Sequence, residues 1–364
     1  MKKNKKKLLV VSNMYPSKKY PHYGVFVEHT VEVLRLSGYI IDVVSMHKMD
    51  GKIRKLFVYF GFYWSVVWKG LFGKYDAVYA HYASHTALPL LILHKIKKLP
   101  IIMNVHGNDV VPETEVDEKY TGLVAKILAE SDFVIAPSEY FKKEVINRFN
   151  VSEECIGVYP SGGVDTNKFC RIKRSVAATY LNLPTRNRYI GYVSRIEEKK
   201  GWDIFLKACS NIVKDNGDIR LIVVGDGAQT EQFIELVDEL NIGNVIIKYD
   251  LLPQKEIVYI FNVLDVFAFS TYRKSESLGL VGLEAMACET ITVLPDNYGP
   301  AGYGKDGVNS FVFETGDVES LEKTIRRALD NKDMTIKAKA RETALLYNHD
   351  SSDNIILNLM REII

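Results

Sequence analysis

The sequence predicts an α/β protein built from two doubly wound, Rossmann-like domains facing each other across a cleft. Three observations lead there. Short β-branched runs alternate with helix-like segments, the pattern of parallel sheets covered by helices on both faces. The alternation occurs twice, and the polar stretch 171–188 interrupts the strand rhythm between the two series. The 364 residues, 47% hydrophobic and 25% charged, suffice to bury two cores of ordinary size. Sheets of this kind bind ligands beyond the carboxyl ends of their strands, so function is expected in the cleft.

The first series reads KLLVVS at 7–12, YIIDVVS at 39–45, AVYA at 77–80, IIMNV at 101–105, FVIAPS at 133–138 and CIGVYP at 155–160. Between its first two members Val27, Val31 and Leu34 share a helix face, with Gly38 as stop signal. The second series reads YIGYVS at 189–194, RLIVVG at 220–225, VIIK at 245–248, VFAFS at 266–270, ITVL at 291–294 and SFVF at 310–313, with helical patterns between. The expected organisation is an N-terminal domain over 1–170, a connection over 171–188, a C-terminal domain over 189–345 and a C-terminal helix over 346–364. For that last helix the N-terminal domain is a candidate packing surface.

Net charge is only +2, yet residues 1–100 hold 17 Lys and Arg against 5 Asp and Glu, an excess of +12 that leaves −10 for the rest. So basic a front half suits an anionic surface, nucleic acid or acidic lipid. No nucleic-acid recognition motif is found, and nucleic acid is not expected as a partner. The segment IRKLFVYFGFYWSVVWKGLFGK, residues 53–74, mixes Phe57, Tyr59, Phe60, Phe62, Tyr63, Trp64, Trp68 and Phe72 with flanking lysines. Its uncharged core, Leu56 to Trp68, is too short to span a bilayer and fits an element lying in the membrane interface, although a buried helix with a lysine rim has nearly the same composition. Cys155, Cys170, Cys209 and Cys288 form no C-x-x-C pair, and Asn13 and Pro16 cut the first apolar run too early for a secretory signal. The expected place is the cytoplasm, peripherally at the inner face of the cell membrane.

The chemistry concentrates in STYRKSESLGLVGLEAMACE, residues 270–289, where Glu276 precedes and Glu284 follows a helix start at Gly279 and Leu280. Unpaired amides at a helix start suit a phosphate, and flanking carboxylates suit sugar hydroxyls, a combination that fits a nucleotide sugar. Arg195, Lys199, Lys200 and Gly201 follow the strand YIGYVS; Arg grips two oxygens at once and Lys adds a mobile point charge, which suits a diphosphate. Gly225 and Gly227 follow the next strand but lack the third glycine of the dinucleotide fingerprint. In the front half, IIMNVHGND brings His106 and Asp109 to a strand end, where Asp109 also reads as a helix cap. His81 and His85 are spaced for one helix face and, with no Glu nearby, read as a surface pair rather than metal ligands. GPAGYGKD, residues 299–306, begins as a P-loop but has Asp306 where Ser or Thr belongs, and no strand leads into it.

Together these residues resemble the retaining glycosyltransferases of family 4, with their two-domain GT-B fold, over nearly the whole chain. The E-x7-E pattern is Glu276 to Glu284, the Arg and Lys of the phosphate site are Arg195 and Lys200, and the HG-x-D element is His106, Gly107 and Asp109. The family's N-G-V-D-x-x-x-F segment stands as SGGVDTNKF, and its glycine-rich loop after the first strand is reduced to Gly24 in YPHYGVFVEH. Glu289 occupies a position where the family commonly has glycine.

The resemblance implies transfer of a hexose from a nucleotide diphosphate sugar, first of all a UDP-hexose, to an acceptor hydroxyl with retention of configuration. Acceptor binding falls to the N-terminal domain and donor binding to the C-terminal one. A saccharide or lipid-linked saccharide of cell-surface polysaccharide or glycolipid synthesis is the implied acceptor. No cofactor and no metal are expected, and no D-x-D follows a strand. By the same resemblance Glu284 holds the ribose, Glu276 meets the donor sugar, and His106 sits beside that sugar. Gly24, Gly225, Gly227, Gly279 and Leu280 complete the expected binding set. The alternatives are a sugar-nucleotide epimerase or noncatalytic binder of the same fold, and an NAD-dependent dehydrogenase.

Overall fold

The computed structural model describes residues 5–20, 23–48 and 51–364. The basic start at 1–4, Pro21 and His22 beside Gly24, and the side chains of Lys52, Ile53 and Lys55 lie outside what is described. Two compact units emerge, residues 1–162 with 350–364 and residues 163–349.

In the first unit the chain runs β1 (Lys7–Ser12), α1 (Val25–Leu36), β2 (Ile40–Ser45), α2 (Lys52–Phe72), β3 (Ala77–His81), α3 (Ala83–Ile96) and β4 (Ile101–Asn104). It continues through α4 (Glu115–Glu118), α5 (Thr121–Ala129), β5 (Phe133–Ala136), α6 (Glu139–Phe149) and β6 (Ile156–Val158). The six strands pair in parallel in the order β2-β1-β3-β4-β5-β6. Because strand side chains alternate between faces, β1 feeds two cores: Leu9 and Val11 pack with Val78 and Met103, while Leu8 and Val10 pack with Val27, Val31 and Leu34 of α1. At the end of α1 the Gly38 amide bonds Arg35 O and the Tyr39 amide bonds Leu34 O, satisfying the last carbonyls as the stop signal predicts.

The second unit runs α7 (Arg174–Tyr180), β7 (Arg188–Val193), α8 (Trp202–Asp215), β8 (Ile219–Val224), α9 (Thr230–Glu239), β9 (Ile246–Tyr249) and α10 (Gln254–Val263). It continues through β10 (Val266–Ala268), α11 (Leu280–Ala287), β11 (Ile291–Pro295), β12 (Phe311–Phe313), α12 (Val318–Leu329) and α13 (Thr335–Leu346). Its six parallel strands are ordered β12-β11-β10-β7-β8-β9, so the order reverses between β7 and β10. The last helix, α14 (His349–Ile363), buries Ile356 and Met360 against the α1 side of the first sheet.

The stretch 171–188, expected as a connection, is built into the second unit. Its helix α7 buries Ala177 and Ala178, the Ile172 amide bonds Asn262 at 2.6 Å, and Arg174 bonds Asp265 at 2.9 Å. The polar residues that interrupt the strand rhythm are thus spent on anchoring contacts to α10 and β10. The chain passes between units at Gly162 and Gly163, inside the glycine pair of SGGVDTNKF.

Candidate functional site

In the second unit a cavity of about 320 Å³ opens beyond the carboxyl ends of β7, β8 and β10, where the strand order reverses. Adjacent strand ends diverge there and leave room for a ligand. Of the residues singled out in the sequence, Arg195, Lys200, Gly225, Glu276, Gly279 and Leu280 line it. Gly227 and Glu284 do not, and Gly24 and His106 belong to the other unit.

The cationic loop after β7 is held from below. The buried Tyr192 hydroxyl reaches the carbonyl oxygens of Arg195 at 3.1 Å and Lys200 at 3.2 Å, and the Tyr272 amide bonds Lys199 O at 3.0 Å. Gly201 then packs its backbone on Ser270, where a Cβ would collide with the Ser270 carbonyl, and its φ of +82° disfavours any side chain. Gly225 approaches Ser194 O in the same way, so both glycines serve close backbone packing. Gly227 abuts Ile196 O, and the amides of Ile196 and Gln229 tie its loop to the cationic one. That packing explains why a fingerprint lacking its third glycine occurs here.

Lys200 Nζ donates to Glu276 Oε2 at 2.7 Å, with only 12% and 13% of the two side chains exposed. Arg195 pairs with Glu197 at 2.7 Å and keeps 56% of its side chain in solvent. The Glu276 turn is fixed by Gly299, whose amide bonds Glu276 O at 3.2 Å, and by the Tyr303 hydroxyl on Gly279 O at 2.8 Å. The GPAGYGKD segment is therefore a buttress under this turn and not a phosphate cradle of its own.

Gly279 caps α11 in the left-handed region with no side-chain cap, and Leu280 starts the helix at the cavity wall. The first amides of α11 carry the positive end of its dipole. Glu284 lies one turn further on, half-buried. Burial pushes its carboxyl up to about 8, against a weaker downward pull from Lys168, and Gln254 Nε2 is its hydrogen-bond donor at 3.5 Å.

Sequence reading missed Leu251, Leu252 and Phe269, which also line the cavity. The signal was present: Leu251 and Leu252 follow β9 as Arg195 follows β7, and an exposed leucine at a strand's carboxyl end is a candidate wall for an apolar ring face.

In the first unit His106 follows β4. Asp109 Oδ1 accepts from the amides of His106 (3.0 Å) and Gly107 (2.8 Å), and its Oδ2 accepts from Ala83 N at 3.0 Å, so Asp109 ties the HG turn to the first residue of α3. Burial raises the Asp109 carboxyl despite those three donors, and lowers His106 to about 3. Gly24 caps α1 with its backbone against Met14. The pairing of His81 with His85 on one helix face is corrected by the structure: His81 ends β3, fully buried, and His85 lies on α3 bonded to Tyr59. The sequence gap of four spans the strand-to-helix turn, which breaks helical periodicity. Among the described residues no three His, Cys, Asp or Glu are grouped to hold a metal ion, and no helix is long and apolar enough to cross a membrane.

Residues 10–168 match the sequence family described as Glycosyltransferase Family 4, and residues 178–344 match Glycosyl transferases group 1. The chain is 25% identical over 288 residues to D-inositol 3-phosphate glycosyltransferase of Mycolicibacterium smegmatis, a match covering 76% of this chain and 64% of that protein. It is 28% identical over 209 residues to the capsular polysaccharide biosynthesis glycosyltransferase CapM of Staphylococcus aureus, covering 55% and 53%. The chain thus spans less than two thirds of either relative's length. In fold it is similar to Anabaena HepE solved with UDP-glucose, with TM-score 0.77 and 17% identity over 98% of this chain and 99% of that one. Two doubly wound units, a cationic cavity at the second switch point and matches across both halves lead to one conclusion: the chain belongs to the family 4, group 1 glycosyltransferases of GT-B fold.

Proposed function

We propose that this protein transfers a hexose from a nucleotide diphosphate sugar, with UDP-hexose as first choice, to a saccharide or lipid-linked saccharide acceptor, retaining the anomeric configuration and using no metal. The observation that carries the reading is the convergence of Arg195, the Lys200–Glu276 pair and the start of α11 on one cavity. Two cations and a helix dipole match the charge of a diphosphate, and that charge grows as the bond to the sugar breaks, so these groups stabilise the transition state more than the bound donor. In the free protein Glu276 holds Lys200 extended at the cavity; with donor bound, Lys200 bridges carboxylate and phosphate while Glu276 turns its free oxygen to the sugar. Leu251 and Leu252 form an apolar wall suited to the base, and Glu284, outside the lining and one turn along α11 from Leu280, takes the ribose hydroxyls where the nucleoside extends past the cavity wall.

In the transfer step the bond from the anomeric carbon to the phosphate oxygen breaks through an oxocarbenium-like state. The acceptor oxygen bonds the same face of that carbon, and its proton passes to the departing phosphate. HepE is named in complex with UDP-glucose, which supports the donor choice, and the CapM name supports a polysaccharide acceptor.

The reading extends to an anionic membrane surface as partner. Phe57, Phe60, Trp64, Trp68 and Phe72 recur at three- and four-residue spacing on α2 and are exposed, joined by Leu88, Ile92 and Ile96 on the neighbouring α3. Lys69, Lys74, Lys95 and Lys98 are exposed nearby in sequence, and this composition suits a helix pair lying in a lipid interface.

The test is acceptor-dependent release of free nucleotide diphosphate from a panel of sugar nucleotides. Arg195→Ala, Lys200→Ala and Glu276→Ala are each expected to lower turnover roughly 10² to 10³-fold. If all three fold and turn over like wild type, the site is misassigned. Thermal-shift screening against nucleoside diphosphates ranks the bases, because a ligand bound only by the folded state raises the melting temperature.

A further inference from the structure

We propose that His81 is a positioning residue that fixes the tautomer of His106, leaving His106 Nδ1–H as an outward-facing hydrogen-bond donor. The functional weight of this rests on the transferase reading, in which His106 sits beside the donor sugar; the tautomer itself does not.

His81 Nδ1 lies 3.0 Å from His106 Nε2. The ring centroids are 5.3 Å apart, which is that bond plus two ring radii, and the planes differ by 17°. The rings therefore meet edge to edge, and the bond runs along the in-plane direction of both nitrogens. One hydrogen lies between them. If His81 accepted it, its own Nε2 would carry the other hydrogen, yet that atom is buried with no partner. The cross-strand neighbour Asn104 has an equally unpartnered Oδ1, so the two are out of reach of each other. A buried N–H without an acceptor is the costlier arrangement, whereas a bare ring nitrogen in an apolar pocket is tolerated better.

His81 is thus the donor from Nδ1, and His106 Nε2 the acceptor. Burial keeps both rings neutral at physiological pH, so the one hydrogen of His106 must lie on Nδ1. That atom makes no hydrogen bond to any described residue and is not among the buried unpartnered atoms, so it is open to a ligand. Phe26 and Tyr82, each 4.7 Å from the ring, and the Asp109 clasp on its backbone hold the side chain in place. A neutral Nδ1–H binds a hydroxyl oxygen and takes no proton, which makes His106 a sugar-orienting donor and leaves the acceptor's proton to the phosphate.

The test uses the full chain with 15N-labelled histidine, assigned through His81 and His106 variants, together with donor kinetics. Wild type is expected to show His106 as the Nδ1–H tautomer from pH 5 to 8. His81→Phe, similar in shape but with no donor, is expected to give a mixed or inverted tautomer and roughly tenfold lower kcat/KM, the worth of one hydrogen bond. His81→Asn, whose amide donates from nearly the same place, is expected to restore both. An Nε2–H tautomer in wild type, or a His81→Phe protein with unchanged tautomer and kinetics, overturns the proposal. If the tautomers respond as stated while no protein transfers sugar, the histidine pairing stands and the transferase reading falls.

Discussion

Replacing Glu284 by Gln is expected to stabilise the ligand-free protein while weakening donor binding. Burial raises this carboxyl from 4.5 to about 8, so the folded state holds the proton across a range in which the unfolded chain has lost it. The folded state binds more protons, so wild-type stability falls as pH rises from 4.5 and levels off above 8. The slope is about 1.4 kcal/mol per pH unit, which by pH 7 amounts to roughly 3 kcal/mol. Gln keeps the shape and the Gln254 contact but cannot ionise. Denaturant unfolding of both proteins from pH 4.5 to 8 should show a gap near zero at the acid end, about 3 kcal/mol at pH 7, and widening to pH 8. If the ribose is held by the ionised form, wild-type affinity for the nucleotide diphosphate should also climb with pH over that range, and that of the variant should stay low and flat. A stability gap equal at pH 4.5 and pH 8 would refute the claim that burial holds this carboxyl protonated.

Three further outcomes are expected. Gly201→Ala should cost about 3 kcal/mol or more, seen as lost soluble protein or a large fall in Tm, because its Cβ meets the Ser270 carbonyl and its φ is +82°. Lys97→Met should raise amide hydrogen exchange at the end of α2 and cost about 1 to 3 kcal/mol, since Lys97 Nζ bonds the carbonyls of Gly70, Leu71 and Gly73 at 3.0, 3.2 and 2.8 Å. Trp64→Glu with Trp68→Glu should abolish flotation with anionic vesicles at unchanged circular dichroism, as both rings are exposed and, among the described residues, their ring contacts are Trp64 with Trp68 and Trp68 with Phe72; equal flotation of variant and wild type would remove α2 as the docking element.

Much of the fold was legible because its signals are local. Every β-branched run of the two series became a strand with ends within two residues of those expected, since burial on both faces of a parallel sheet demands an unbroken apolar run whatever lies beyond it. Gly38 and Gly279 marked helix ends for the equally local reason that only their φ suits the cap. The motif residues Arg195, Lys200, Glu276, Gly279 and Leu280 were likewise findable from their place at strand and helix ends.

What only the tertiary structure decided is who meets whom. Lys200 and Glu276 are 76 residues apart, and nothing in either segment announces a 2.7 Å pair. The same holds for Tyr192 beneath the cationic loop, for GPAGYGKD under the Glu276 turn, and for His81 against His106. Residues 171–188 read as a connection because polar residues look alike whether they face water or anchor a helix to a neighbour; their partners, Asn262 and Asp265, lie about ninety positions away. The raised Glu284 carboxyl has the same origin, because desolvation depends on every segment that folds over a group and not on the residues beside it in sequence.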